Sequence, residues 1–493
     1  MSNTLRWIVP MAAGLFFMPA NIPTAIAAPV LGVAAGQKTS ADTISVSDRR
    51  SVHITRKTSG GFATLFDSER RRNDEVLKAT TQATLSIDDD IAGALETYYS
   101  IPKARPIWVD RSGPNVRARS ALQMLSKSED WGLASSDYIV DTRFSGTDPQ
   151  AMAQFEVELS GKFLMYLQDN YRGRIDPNKL SSYYDLKRKT IDLKATLSAL
   201  AAGVEPATLI AQVLPSDPKF SDLAAELQVL RKTKSRDGAS GNINKVIIAM
   251  EEMRWLPREL PARYVFVNQP AYMAYYYEGG RAALGMRAVI GQENHQTNVF
   301  AASIKTVEFN PTWGVPQSII RNEMLPHLKR DPAYLDKQGY TVSVKGVSMP
   351  SSKVDWSQPL KNIGVVQPPG PENALGRLKI LFPNSHLIYM HDTPARGRFA
   401  SQDLMFSHGC IRLENPRGMA AAVMKTSVES VDRQIALGSK IDVPVPEEVP
   451  VFISYFTAWP SDDGVVHFYD DVYGRDPVIL DAIQEKSLVR ARS

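Results

Sequence analysis

Cysteine is almost absent from this chain: its 493 residues contain one, Cys410. An internal disulfide is therefore excluded. Long apolar runs are also missing, since beyond the first thirty or so residues no stretch approaches the roughly 20 apolar residues of a membrane-spanning helix. A surplus of either charge is missing too. The 57 basic and 53 acidic residues leave a net charge of +4, too mild a balance to argue for nucleic acid as a partner. No tandem repeat is found. What remains is an ordinary apolar and aromatic content over a length that suggests two or three domains with real cores.

The amino terminus has a recognisable pattern. A single positive charge at Arg6 precedes an apolar run from Trp7 to Met18, and Ala25-Ile26-Ala27 supplies an A-x-A cleavage signal. This predicts a signal peptide over 1–27 and an exported protein, with an uncleaved anchor as the alternative. No cysteine lies near the cut, so a lipoprotein is excluded. Residues 28–79 are polar and rich in Ser, Thr and Arg, and read as a flexible leader. From 80 the apolar residues recur at helical spacing, with Ser86 as a first cap and Gly132 as a stop. Residues 80–241 are thus expected to form a helical domain ending in the linker "KSRDGASG".

One more helix, "NINKVIIAMEEMRWLP", follows, and then the period changes. "RYVFVNQPAYMAYYYEGGRAALGMRAVIG" alternates and turns at Glu278-Gly279-Gly280, which reads as a hairpin. Further Val-, Ile- and Tyr-rich segments predict a β-rich, sandwich-like domain over 242–478. Residues 320–370 interrupt it with helical and proline-rich pieces, as an inserted lid does. Residues 479–493 read as a tail. The expected fold class is α+β, helical first and β-rich second.

The lone thiol lies in "FSHGCIRLENP", a small polar turn rather than an apolar run. A free thiol in an oxidising compartment invites attention as a reactive group. A thiol of ordinary pKa, roughly 8.5, is mostly protonated at neutral pH and needs a base or cation beside it. His391 ends the strand-like "HLIYM" and opens "HDTPARGRF", so two neighbouring elements can present His391 and Cys410 together. Gly409 lets the backbone come close, and the N–H groups of Gly409 and Cys410 are candidates for stabilising an oxyanion. Two other readings compete. Cys410 could simply fill a core. Alternatively His386, His391, His408 and Cys410 could bind zinc, although no recognised zinc spacing is present.

"HDTP" at 391–394 with "SHGCIR" at 407–412 resembles the signature of the L,D-transpeptidases, cysteine enzymes that cross-link peptidoglycan. The resemblance extends over about 80–478, through "MRWLPRELPARYVFVNQPAY", "VEFNPTWGVPQSII", "QPPGPENALGRLKILFP" and "YFTAWPSDDGVVHFYDDVYGRD". It is to the larger Gram-negative members, which have a helical scaffold and a capping insertion. Those usually carry a peptidoglycan-binding repeat where this chain has only "KSRDGASG".

The resemblance implies that Cys410 is the nucleophile and His391 its base. It also implies that Ser407 and His408 shape the turn, that Gly409 and Cys410 donate to the oxyanion, and that Arg412 fixes the loop or binds a carboxylate. Tyr389 and Trp313 would line the cleft. The implied reaction joins peptidoglycan stem peptides in the periplasm, without metal or organic cofactor, and carbapenems would acylate the same sulfur. An L,D-carboxypeptidase, attachment of an outer-membrane protein to the wall, and a non-catalytic wall-binding scaffold stay open. No nucleic acid is implied, and membrane contact comes only through the signal or a transient anchor.

Overall fold

The computed structural model describes residues 50–51, 86–101, 104–143, 148–233 and 239–491. The expected signal peptide, most of the leader and most of the 234–241 linker lie outside the described residues. One pair of leader residues is placed: Arg50–Ser51 forms an antiparallel pair with Ser86–Ile87. Ser86 is therefore a strand residue rather than a helix cap, and the first helix starts at Asp89.

Six helices build the first part: α1 (Asp89–Tyr99), α2 (Val116–Ser126), α3 (Pro149–Arg172), α4 (Leu193–Ala201), α5 (Pro206–Val213) and α6 (Pro218–Lys232). Local chemistry sets most of their starts. The side chains of Asn115, Asp148, Asp192 and Asp217 each accept a first-turn N–H. Pro149, Pro206 and Pro218 open their helices, where a missing N–H costs nothing. The long α3 is the hub, buried along most of its length among the residues of the other helices. Its Glu156 accepts N–H bonds from Ile107 at 2.5 Å and Trp108 at 2.8 Å, tying the loop before α2 to the core.

Helix α7 (Ala239–Met253) leads into the β-rich part. Strands β1 (Arg263–Asn268), β2 (Met273–Glu278) and β3 (Arg281–Gly291) form a meander. Gly279 and Gly280, at φ 59° and 79°, make the two-residue turn between β2 and β3 that the sequence predicts. Next come β4 (Val299–Phe309), the insertion, β5 (Leu378–Leu381), β6 (Met390–His391), β7 (Met405–Ser407) and β8 (Ile411–Leu413). Helices α8 (Pro416–Val423) and α9 (Val428–Ala436) precede the long β9 (Ile441–Ser454).

The hydrogen-bonded order is β5-β6-β8-β3-β2-β1-β9-β4, and β4 pairs with β5 again. The domain expected as sandwich-like is thus one sheet curled until its ends meet. Val265, Val267, Val307, Ile380, Met390, Ile411, Val451 and Ile453 point inward to a common core. The opposite face of β1, β2 and β9 carries Tyr264, Phe266, Tyr277 and Phe452, which pack against Phe220, Leu223, Val246 and Met250 of α6 and α7. Alternation with both faces apolar has a simple cause: helices cover the outside of these strands.

The insertion has a core of its own. Trp313–Gly314, Ile363–Gln367, Thr341–Val344 and Val347–Met349 form a four-stranded antiparallel sheet. Ile319, Ile320, Leu328, Leu335, Val342 and Val365 pack together beside it. The cap therefore begins at Trp313, before residue 320.

Residues 479–493, read as a tail, belong mostly to a helix, α10 (Arg475–Ala491). Its buried Arg490 reaches back to the helical region, with Nη1 at 2.7 Å from Asp169 and 3.0 Å from Asp137, and Nη2 at 3.0 Å from Asp169. Burial would push the Asp169 carboxyl up, but Arg490 holds it below the usual range. Arg490→Met leaves two buried carboxylates short of their main cation. It is expected to destabilise the fold by about 3–5 kcal/mol, read as a lower denaturant midpoint. The wild-type contribution is present at neutral pH and disappears as pH falls through the depressed Asp169 pKa, so the two proteins converge in acid.

Candidate active site

Parallel pairing of β6 with β8 sets the geometry of the site. Met390 lies opposite Ile411 and His391 opposite Arg412, while the Ile411 N–H donates to the Tyr389 carbonyl at 3.1 Å. Side chains alternate along strands. Met390, Ile411 and Leu413 point into the core, so Tyr389, His391, Cys410 and Arg412 share the other face. Lys379 of β5, opposite His391, joins them there.

The turn that carries Cys410 is tied down at several points. Gly409 has φ 108°, a conformation open to glycine and strained for other residues. The Ser407 hydroxyl donates to the Cys410 carbonyl at 2.5 Å and accepts the Gly409 N–H at 3.1 Å. The Gly409 carbonyl accepts from Thr297 Oγ1 at 2.8 Å. One sequence expectation is corrected here. The Gly409 N–H, taken as an oxyanion donor, already serves the Ser407 hydroxyl, which lies within reach because the turn folds back over that side chain.

Cys410 is half-buried, and its sulfur lies 3.8 Å from the Leu387 carbonyl. The Tyr389 hydroxyl is hydrogen-bonded to the same sulfur. Burial pushes the thiol above its ordinary pKa, and the opposing pull of Tyr389, Lys379 and Arg412 is smaller. His391 is buried, and its Nδ1 lies 2.6 Å from the Asp392 carbonyl. A carbonyl can only accept, so Nδ1 carries the proton in this contact, and the Leu375 carbonyl is a second backbone acceptor against the ring. Burial, and then the Arg412 cation beside it, lower the imidazole pKa to about 3. At neutral pH the site thus rests as a neutral thiol with a neutral imidazole.

Residues 262–443 match the YkuD-type L,D-transpeptidase catalytic domain, and residues 93–227 match a scaffold domain. The catalytic domain is that of the L,D-transpeptidases. A Haemophilus influenzae protein provisionally named as an L,D-transpeptidase is 27% identical over 404 residues, covering 78% of each chain. Among solved structures, an L,D-transpeptidase from Mycobacterium smegmatis is 12% identical. It overlaps 39% of this chain and 58% of its own, with a TM-score of 0.20. L,D-transpeptidase 1 of Mycobacterium tuberculosis is 13% identical, overlapping 39% of this chain and 61% of its own, with a TM-score of 0.18.

The remaining histidines and Trp313 take up other contacts. His408 leaves the Cys410 face, packs against His295 with tilted rings 4.9 Å apart between centroids, and meets Glu323 of the cap at 3.0 Å. Trp313 packs against the core of the cap. His386 faces Asp185 at 3.0 Å. The four residues weighed as zinc ligands do not converge: among the described residues no group of three His, Cys, Asp or Glu side chains is placed to hold a metal.

Several residues of the site escaped sequence reasoning. Lys379 stands with Nζ 4.6 Å from the Tyr389 ring centroid and 3.3 Å from Glu308. Asp392 fixes the segment after His391, accepting the Arg377 N–H at 2.8 Å, the Thr393 N–H at 2.7 Å and Arg396 Nη2 at 2.5 Å. A Cβ on Gly376 would lie 2.4 Å from the Asp392 carboxyl carbon, so only glycine fits there. The Asp next to His in "HDTP" was the one local signal of this arrangement.

Proposed function

We propose that this L,D-transpeptidase forms three-to-three cross-links between peptidoglycan stems in the periplasm of a Gram-negative cell. The donor is a tetrapeptide stem whose third residue is meso-diaminopimelate. His391 takes the Cys410 proton as sulfur attacks the carbonyl at the L-centre of that third residue. The carbon–nitrogen bond to D-alanine breaks, the leaving amine receives the proton from His391, and a thioester remains. The side-chain amine of a second stem then attacks. A new amide forms, the sulfur–carbon bond breaks, and the amine proton returns to sulfur through His391.

What supports this reading is the parallel pairing of β6 with β8, which sets His391 opposite Arg412 and, by alternation, on the side of the sheet reached from Cys410, the residue just before β8. The long resting contact from sulfur to Leu387 does not oppose it, since catalytic hydrogen bonds commonly tighten only when substrate is bound. With Gly409 engaged, the Cys410 N–H is the remaining backbone candidate for the oxyanion. The cap reaches the nucleophile turn through the Glu323–His408 contact, and closure of the cap over a thioester would exclude water and favour transfer over hydrolysis.

Product analysis tests the reading. Purified protein given a tetrapeptide stem is expected to release D-alanine and accumulate the three-to-three dimer. Tripeptide alone would make it an L,D-carboxypeptidase. A wall-attached outer-membrane protein in cells, without stem dimers, would make a protein the acceptor.

A further inference from the structure

The loop between β3 and β4 is built against the nucleophile turn. The Gln292 N–H donates to the Ser407 carbonyl at 2.9 Å, and the His295 ring packs against His408. Thr297 is buried, and its Oγ1 accepts the Gly291 N–H at 2.9 Å and donates to the Gly409 carbonyl at 2.8 Å. A residue far along the chain holds this loop from behind. Arg475, the first residue of α10, is buried. Its Nη2 donates to Gln296 Oε1 at 2.8 Å and to the Thr297 carbonyl at 3.2 Å, and its Nε donates to Gln296 Oε1 at 3.3 Å.

The guanidinium is itself closely placed. Four tyrosine rings stand around it, with Cζ 5.6 Å from the ring centroid of Tyr183, 5.3 Å from Tyr184, 4.7 Å from Tyr455 and 5.0 Å from Tyr473. Aromatic faces attract a cation and offset part of the cost of burying it. Asp471 fixes the backbone, accepting the N–H groups of Arg475 and Asp476, each at 2.9 Å. The Tyr473 hydroxyl donates to the Gly291 carbonyl at 2.5 Å, next to the N–H that Thr297 accepts. Neither the arginine nor any of the four rings lies within 262–443, the matched catalytic domain, and Tyr183 and Tyr184 belong to the matched scaffold.

We propose that Arg475 is a positioning residue for the nucleophile, supplied from outside the catalytic domain and acting through Gln296 and Thr297. The Gly409 carbonyl and the Cys410 N–H belong to one peptide group. That group is planar and trans, so the N–H points opposite to the carbonyl. Anchoring the carbonyl on Thr297 therefore aims the Cys410 N–H, the backbone donor left for the oxyanion. Glycine on one side lets this peptide turn over easily, and the Thr297 bond opposes that. This rests on the thioester reading above and adds the residue that keeps its oxyanion donor in place.

The test follows acylation of Cys410 by a carbapenem on the full chain, by intact mass, over a range of carbapenem concentrations. Arg475→Met is expected to lower the maximal acylation rate about 10- to 100-fold, the scale of a small misplacement of reacting groups, while the half-saturating concentration stays near that of wild type. Arg475→Lys recovers part of the rate. Thr297→Val breaks the last link of the same chain of contacts. The double variant should therefore be no slower than the worse single one, as residues acting as a unit behave. Alkylation of the same sulfur by iodoacetamide forms no oxyanion and should change far less than acylation. Wild-type acylation by Arg475→Met would overturn the proposal, and so would losses that multiply in the double variant. Equal slowing of acylation and alkylation would overturn it too, as a general loosening of the site. Should Arg475→Met fail to fold, Gln296→Leu at a half-buried position removes the acceptor instead. It is expected to slow acylation and spare alkylation, and wild-type acylation by it would overturn the proposal. No acyl-enzyme on wild type would overturn the thioester reading and the positioning role together, whereas a wild-type acyl-enzyme with unaffected variants overturns the positioning role alone.

Discussion

Cys410→Ser is expected to lower acyl transfer by at least about 10³-fold, the scale of losing an activated nucleophile. The site offers a hydroxyl little help. His391, held at about pKa 3 by burial and Arg412, is a weak base, and an alcohol is far harder to deprotonate than a thiol. Burial raises the thiol itself, so the sulfur too depends on a base for its activation. Intact-mass measurement with a carbapenem reads the same point directly, with an adduct on wild type and none on Cys410→Ala. Folding should change little, because the sulfur is half-buried and its backbone contact is a long one to Leu387. Cross-linking fully restored by Cys410→Ala in a strain lacking the wild-type protein would mean that the chain acts as a scaffold.

His391→Gln should reduce the acylation rate by about 10²- to 10⁴-fold, the usual range for removing a general base. Glutamine keeps a donor for the Asp392 carbonyl but has no basic nitrogen, which separates lost chemistry from lost position. Stability supplies an independent readout. The folded pKa of His391, about 3, lies below the unfolded value of roughly 6.5. Between these values the unfolded chain binds more protons than the folded one, so acidification through this window destabilises wild type. The variant lacks this contribution. Its stability should therefore fall less steeply between about pH 6.5 and pH 3 in denaturant titrations. Parallel pH dependence of the two proteins would argue against a buried neutral imidazole.

Much of the architecture was legible because it follows from local periodicity. Apolar residues at helical spacing marked the first part of the chain, and the Gly279-Gly280 turn marked the hairpin. The cap was legible as an interruption, although its start at Trp313 was not, since a two-residue strand leaves almost no periodic signal. The helix in 475–491 was missed because what orders its end is distant: Arg490 finds its carboxylates on Asp137 and Asp169, more than three hundred positions upstream. In the site, "HDTP" and "SHGCIR" pointed to His391 and Cys410 themselves. Tyr389 was expected to line the cleft, and its hydrogen bond to the sulfur could not be read locally. Trp313, also expected there, is held by the core of the cap.

The amino-acid sequence by itself determined the order of the domains, the turn that exposes a single thiol, and the pairing of a histidine motif with a cysteine motif. These depend on neighbours within a few positions. Only the tertiary structure decided which side chains share the sulfur's face, that Thr297 anchors the nucleophile turn from 112 residues away, and that the Nε of Arg412 lies buried without a hydrogen-bond partner among the described residues. A shift of one residue in the β6–β8 register would send His391 into the core and Met390 out of it. Register is set by the packing of the whole curled sheet, not by either motif alone.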